Sequence, residues 1–280
     1  MNILITGTSS GIGYDAARYL IERGHRVFGS VRKAEDAERV QAELGDQFTP
    51  LVFDVTNEVE IKTAVSHLKQ HLAGEGLDGL VNNAGIATPG PLQYLPLDEL
   101  RKQLEVNVVG VTAVTQACLP LLGAKADSKH PPGRIVNISS VSGQIAYPFM
   151  GAYAASKHAL EALSDAWRRE LMMFGIDVIL IEPGTVQTPI IGKFQGQIER
   201  YLGTEYGRFF QPMTKEVAKR SSNNLPVEKI SMVIDKALTT SNPKTRYPIP
   251  RRWLTGWLLP RWLPDRWFDQ IAARRLGLKK

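Results

Sequence analysis

A turn bearing three glycines, set between an apolar strand and a helix at the very start, constrains the fold of this chain more than any other feature. Residues 1–6 carry the apolar run Ile3-Leu4-Ile5, then Gly7, Gly11 and Gly13, then Ala16, Ala17, Leu20 and Ile21 at helical spacing as far as Gly24. Strand, glycine turn and helix in this order form the first half of a βαβ unit, whose strands lie parallel. The turn also lets the backbone approach a pyrophosphate, and the helix start offers free N–H groups and a positive dipole end. Ser9, Ser10 and Ile12 lie within the same loop. Glycine serves tight turns for steric reasons too; its place directly after the first strand favours the phosphate reading.

Apolar strand patterns recur at residues 25–31, 51–55, 77–81, 134–139 and 176–182, with an edge strand at 246–248. Helical patterns occupy 98–122, 151–174 and 227–238. This alternation predicts one α/β domain over residues 1–250, a doubly wound, Rossmann-type parallel sheet with helices on both faces and right-handed crossovers. Residues 251–280 form a basic extension that holds four of the five tryptophans.

The net charge of +6 raises the question of nucleic acid, and its distribution answers it. From Lys244 onward ten Lys or Arg face two Asp, so that stretch carries +8 and the remainder −2. A basic tail on a near-neutral body, with no helix-turn-helix, zinc or RNP-type signature, predicts neither nucleic-acid binding nor a metal site. Cys118 is the single cysteine, so no intrachain disulfide can form, and it is expected to pack as a small apolar residue. The chain runs from Met1 directly into the first strand, and no apolar run reaches the ~18–20 residues a spanning helix needs. The expectation is a cytoplasmic protein.

The chemistry concentrates in the stretch SVSGQIAYPFMGAYAASK, residues 140–157. On a helix, Tyr153 and Lys157 stand four apart on one face, a phenol beside a cation. An unperturbed Tyr has a pKa of about 10, and a neighbouring positive charge favours the phenolate. A Tyr so tuned can act as a general acid or base.

Taken with TGTSSGIG at 6–13, NNAG at 82–85 and Asn107 in VNVVG, this stretch resembles the short-chain dehydrogenase/reductase family over about residues 1–190. The block from Ser142 to Ser164 is similar to the branch of the estradiol-type hydroxysteroid dehydrogenases and retinol dehydrogenases, which share a PF pair before the Tyr. The resemblance implies that Tyr153 exchanges the proton with the substrate oxygen and that Ser140 holds that oxygen. It implies that Lys157 holds the ribose hydroxyls and depresses the Tyr153 pKa. Asn107 would kink its helix and free a carbonyl for a water in a proton relay. Ser139 is the nearest competitor of Ser140, and the family spacing selects Ser140. Asn82 would brace the sheet.

For the cofactor, the resemblance implies contacts from Asp54 and Val55 to the adenine, from Asn83, Ala84 and Gly85 along the dinucleotide, and from Pro183, Gly184, Val186 and Thr188 at the nicotinamide. Asp54 could equally cap the helix from Asn57. At the end of the second strand stand Val31, Arg32 and Lys33 where an acidic residue would bind a ribose 2′-hydroxyl. An Arg there suits a 2′-phosphate, so NADP(H) is expected over NAD(H).

Residues 190–225 scatter Phe194, Ile198, Tyr201, Tyr206, Phe209, Phe210 and Met213 among glycine and polar residues. They read as a lid over an apolar substrate or as a satellite core under a long loop. In the extension, residues 265–276 can form an amphipathic helix with Trp267, Phe268, Ile271 and Ala272 on one face and Arg266, Arg274 and Arg275 around it. Such a helix suits a membrane surface, a dimer contact or a cover for the substrate mouth. The resulting expectation is an NADP(H)-dependent oxidoreductase of an apolar alcohol, ketone or aldehyde, a homodimer or homotetramer. The alternatives are a 3-oxoacyl thioester reductase and a non-catalytic NADP(H)-binding sensor or scaffold.

Overall fold

The computed structural model describes residues 1–125, 127–187, 194, 196–210 and 224–278. Seven strands, β1 (Asn2–Ile5), β2 (Arg26–Val31), β3 (Phe48–Val52), β4 (Gly79–Asn82), β5 (Arg134–Ile138), β6 (Asp177–Pro183) and β7 (Arg246–Ile249), form one sheet in the order β3-β2-β1-β4-β5-β6-β7. All neighbours run parallel. Parallel strands covered on both faces need apolar side chains on both. In β1, Ile3 and Ile5 enter the core formed with Ala16, Ala17, Leu20, Ile230 and Ile234, while Leu4 enters the opposite core with Ile61, Leu68, Val114 and Cys118.

The helices supplying those layers are α1 (Gly11–Ile21), α2 (Ala34–Leu44), α3 (Glu58–Leu72), α4 (Leu97–Leu104), α5 (Gly110–Cys118), α6 (Gly151–Glu170) and α7 (Val227–Thr239). Cys118 lies fully buried, and burial pushes its thiol up to about 12, in keeping with an apolar packing role. Strand order reverses between β1 and β4, and a crevice opens at the carboxyl ends of the strands there, where ligands bind in sheets of this kind.

The sequence places β3 three residues late. Phe48 is buried and pairs with Val27, which starts the strand earlier. The strand ends before Asp54, whose carboxylate accepts from Thr56 N (2.9 Å) and Thr56 Oγ1 (2.8 Å) and so folds a turn. Asp54 is therefore not the cap of α3. Asn57 is, accepting from Val59 N and Glu60 N, a contribution of about 1 kcal/mol.

The long helix expected at 98–122 is interrupted. Between α4 and α5, residues Glu105–Val109 form a widened i→i+5 turn with Asn107 at its centre. A polar amide held there by Ile86 and Ser156 explains the interruption. The helix of residues 151–174 closes in a 3₁₀ turn, Leu171–Phe174, before Gly175 at φ +70°.

The extension continues as a widened turn, Leu254–Leu258, a short helix, Leu259–Trp262, and α8 (Asp265–Leu276). Among the described residues no helix is long and apolar enough to cross a membrane.

Candidate active site

The cradle at the β1–α1 turn is built by side chains from three strands. Ser30 Oγ accepts from Gly7 N (2.9 Å), and Thr8 donates through both N (2.8 Å) and Oγ1 (3.1 Å) to Ser30 O. Thr6 Oγ1 accepts from the backbone of Asn83 (3.0 Å) and Ala84 (2.9 Å). Asn83 Nδ2 donates to Thr6 O (2.9 Å) and Gly7 O (3.1 Å). Gly7 and Gly11 adopt φ of +73° and +63°, the left-handed region where a side chain costs about 1 kcal/mol. Gly13 is required for space, since a Cβ on it would stand 2.2 Å from Gly7 O and 2.4 Å from Asn83 Nδ2.

Ser10, extended at φ −168°, gives α1 no side-chain cap, and the first turn of α1 holds no acidic residue. The dipole end and first N–H groups thus face the crevice without a protein anion, a fit for the pyrophosphate of a dinucleotide. Ser9 and Ser10 border this end, and Ile12 packs inward against the core.

At the end of β2, Arg32 and Lys33 are exposed, and Arg32 makes no hydrogen bond or ion pair among the described residues. Arg39, seven residues on and not among the residues expected at the site, donates through its guanidinium to Ser9 O (2.8 Å) and pairs with Asp36 and Glu43. Its helical pattern looks like that of any solvated α2 face, so only the fold shows it against the glycine loop. Asp54 follows β3, and Val55 packs with its carbonyl against Gly110.

Asn82 braces the sheet as expected, donating to Thr115 Oγ1 (3.0 Å) and Asn137 Oδ1 (2.8 Å). Asn107 joins the cradle to the reactive helix. Its Oδ1 accepts from Ile86 N (2.9 Å), and its Nδ2 donates to Ile86 O (2.9 Å) and Ser156 Oγ (2.9 Å). A Cβ on Gly85 would lie 3.2 Å from Asn107 Oδ1 and 3.8 Å from Lys157 Nζ. Gly85, Asn107 and Lys157 therefore meet at one point.

The expected Ser, Tyr and Lys come together beside it. Ser140, buried at the end of β5, lies near enough to the Tyr153 phenol to act on its pKa, accepts from Ser142 N (3.1 Å) and donates to Pro183 O (3.4 Å). Lys157 Nζ donates to Ile138 O (2.8 Å) and sits 5.8 Å from the Tyr153 ring centroid. Ser139 Oγ is buried without a partner among the described residues. Burial holds the Tyr153 pKa above its ordinary value, only partly opposed by the Ser140 hydroxyl. This corrects the expectation of a depressed phenol: desolvation outweighs a cation whose ammonium points to the Ile138 carbonyl. The same burial brings Lys157 down to about 8, opposed by Glu161.

Of the residues expected at the nicotinamide, Pro183 ends β6, Gly184 N donates to Ile249 O (2.9 Å), and Val186 is buried and bridged to Leu225. Thr188 and Met213 lie outside the described residues, as do residues 190–193, 195 and 211–223 of the expected lid. The described part forms a packed aromatic cluster of Phe149, Ile198, Tyr201 and Phe210 with Phe194, Tyr206 and Phe209. Phe149, of the PF pair, holds it at φ +67°, a backbone state that costs of order 1–3 kcal/mol and needs surrounding packing to persist.

The extension closes against this cluster, with Leu276 and Leu278 on it and Phe268 edge-on to Tyr147 at 6.0 Å. The expected single apolar face of α8 is split: Phe268 and Ala272 turn inward, while Trp267 and Ile271 remain exposed. A four-residue step places each pair on its own side, and the aromatic cluster takes one of them. A separate cleft of about 390 Å³, lined by Asn2, Arg26, Asp78 and His130, lies at the opposite ends of the strands.

A phenol near a hydroxyl, next to a buried amine and a glycine-turn cradle, can exchange a proton with a substrate oxygen while a hydride moves at carbon. That is the chemistry of dehydrogenases and reductases. Residues 1–198 match the family described as short chain dehydrogenase, and the chain belongs to that family of oxidoreductases. It is 41% identical to an NADPH-dependent 3-dehydrocapnine reductase of Ornithobacterium rhinotracheale, covering 98% of this chain and 96% of that one. It is 35% identical to the Homo sapiens 17-beta-hydroxysteroid dehydrogenase type 6, over 88% of this chain and 79% of the relative. A crystal structure of a short-chain dehydrogenase from Streptomyces avermitilis superposes with a TM-score of 0.72 at 28% identity, covering 89% and 87% of the two chains.

Proposed function

We propose that the protein is an NADP(H)-dependent reductase of an apolar ketone or aldehyde, with Tyr153 as its proton donor. The observation that carries this reading is the grouping of Ser140, Tyr153 and Lys157 at the strand ends, with Lys157 Nζ 5.8 Å from the Tyr153 ring and next to Gly85 and Asn107. When bound, NADPH supplies the hydride that the carbonyl carbon receives. Ser140 hydrogen-bonds the carbonyl oxygen as negative charge grows there, an oxyanion-type role. Tyr153 then donates its proton to that oxygen, and its raised pKa keeps the proton in place through neutral pH. Lys157, with one N–H on Ile138 O, has two more to hold ribose hydroxyls, and Asn107 fixes the Gly85–Ile86 backbone against which the nicotinamide would lie.

Three features support NADP(H) over NAD(H): the uncommitted guanidinium of Arg32, the absence of an acidic side chain among Val31, Arg32 and Lys33, and a relative named as NADPH-dependent. The aromatic cluster around Phe149 supports an apolar substrate, as do the hydroxysteroid and retinol dehydrogenases among the relatives. The test is NADPH and NADH oxidation against long-chain ketones, steroid ketones and retinal, with a sugar ketone and a 3-oxoacyl thioester included. Turnover of an apolar carbonyl with NADPH is expected; reaction of the thioester alone would transfer the assignment to a 3-oxoacyl reductase, and binding without turnover would favour a sensor.

We also propose that the extension rests on an anionic membrane surface. With the inner face of α8 occupied, Trp253, Trp262 and Trp267 stay 55%, 79% and 63% exposed, alongside Leu254, Leu259 and Ile271. Arg251, Arg252, Arg261, Arg266, Arg274 and Arg275 surround them against two Asp, and Trp with Arg suits a lipid interface. Two copies meeting through this surface would oppose like charges. Trp262→Ala with Trp267→Ala is expected to lower flotation with phosphatidylserine-containing vesicles by roughly tenfold, the loss of ~1–2 kcal/mol of buried indole. Unchanged flotation with a shift to monomer would point instead to a dimer contact.

A further inference from the structure

Behind the reactive group lies a cluster of charged side chains that the reaction as described does not use. Glu161 is one helical turn beyond Lys157 on α6, and Glu182 stands on β6 next to Pro183, whose carbonyl faces the Ser140 hydroxyl. Their side chains are 5% and 0% exposed as residues. The two carboxyl groups share the same two donors. Arg246 Nε reaches Glu161 Oε2 at 3.1 Å and Glu182 Oε1 at 3.5 Å, and Gln144 Nε2 reaches the same two oxygens at 3.0 and 3.5 Å. The other oxygen of each, Glu161 Oε1 and Glu182 Oε2, is buried with no donor among the described residues.

Two carboxylates cannot both stay ionised in such a place at low cost. One guanidinium, already shared with Asp165 at 2.9 Å, faces two buried charges, and two acceptor oxygens lack any donor. A proton held between the carboxyls removes both defects at once, neutralising one charge and providing the missing donor. We propose that Glu161 and Glu182 share one proton and act as a positioning pair whose second ionisation, through its charge, sets the alkaline limb of the pH profile. The proposal rests on the reading of Tyr153 and Lys157 as reacting groups.

The surroundings agree. On α6, Asp165 is held below its ordinary pKa by Arg168 and Arg246 against its own burial, so it stays anionic. From β7 comes Arg246, from the extension Arg261, which acts on Glu182 at longer range. Burial, reinforced by the charge of Glu161, pushes Glu182 up to about 8, the same region to which burial brings Lys157. Below this region the pair carries one negative charge. Above it the pair carries two, and the added charge favours the Lys157 ammonium and the neutral Tyr153 phenol, so the proton donor persists to higher pH.

Glu182→Gln copies the protonated form and cannot ionise. Neutral-pH turnover is expected to change less than twofold. The alkaline limb of kcat/KM for reduction is expected about one pH unit lower, the order of effect of a nearby unit charge at an intermediate dielectric, so rates on the limb fall about tenfold. Glu161→Gln leaves Glu182 alone with Arg246, and it should ionise there.

Infrared spectroscopy of the same full-length proteins provides a readout independent of turnover. The wild type should show the carbonyl stretch of a protonated buried carboxyl that fades as pH rises through about 8, and both Gln variants should lack it. Superimposable pH profiles, or no protonated carboxyl in the wild type, would overturn the proposal. If no carbonyl is turned over, the catalytic reading fails by itself while the infrared result still decides the shared proton.

Discussion

Tyr153→Phe is expected to lower kcat for carbonyl reduction by about a thousandfold, within the range a positioned general acid contributes, while the dissociation constant for NADPH stays within about twofold. The ring remains to fill its half-buried position at the start of α6, so packing is preserved. Only the phenol hydroxyl is lost. With the Tyr153 pKa held up by burial, reduction should stay flat through neutral pH and fall only in the alkaline range. Oxidation, which needs the phenolate, should rise with pH over the same range. Equal kcat for Phe and Tyr at this position would remove Tyr153 from the proton transfer, whatever the cofactor does.

Arg32→Ala is expected to weaken NADPH by about ten- to a hundredfold and NADH by less than about twofold. A guanidinium that donates to a phosphate gives about 1.5–3 kcal/mol, and among the described residues Arg32 has no partner from which a phosphate must displace it. Titration of intrinsic fluorescence with each nucleotide separates the two constants. Lys33, the next residue, is a point charge that can supply part of the attraction, but not the fork that grips two oxygens. A similar loss for both nucleotides would mean that Arg32 supports the loop and does not read the 2′-phosphate.

Much of this architecture can be read from residue patterns because parallel strands covered on both faces are continuous apolar runs. Ile3 to Ile5 could be little else, and the glycines after it locate the cradle. Asn107 was legible for the opposite reason: an amide in the middle of an apolar helix needs partners, and it finds them in Ile86 and Ser156, three segments of chain meeting at one side chain.

What stayed hidden depends on contacts between distant segments. The direction of the Tyr153 shift follows from burial, which no spacing reports. The carboxyl pair exists only because β7 brings Arg246 beside α6, 85 residues away in sequence from Glu161. The division of the α8 apolar residues into two sides follows from the aromatic cluster that takes up Phe268 and Leu276, and helical periodicity alone puts them on a common face. At β3, alternation through Val52 and Phe53 extends the strand by eye, whereas the Asp54 turn ends it.

The most direct test is a reaction with [4-²H]NADPH, both epimers in turn, and a long-chain or steroid ketone, with the alcohol product analysed by mass spectrometry. Transfer of one deuterium to the carbinol carbon from one epimer only, and its disappearance in Tyr153→Phe, is the predicted result. Bound NADPH that delivers no label to any carbonyl compound, or label transfer undiminished in Tyr153→Phe, would contradict the assignment of this site to hydride transfer with Tyr153 as acid.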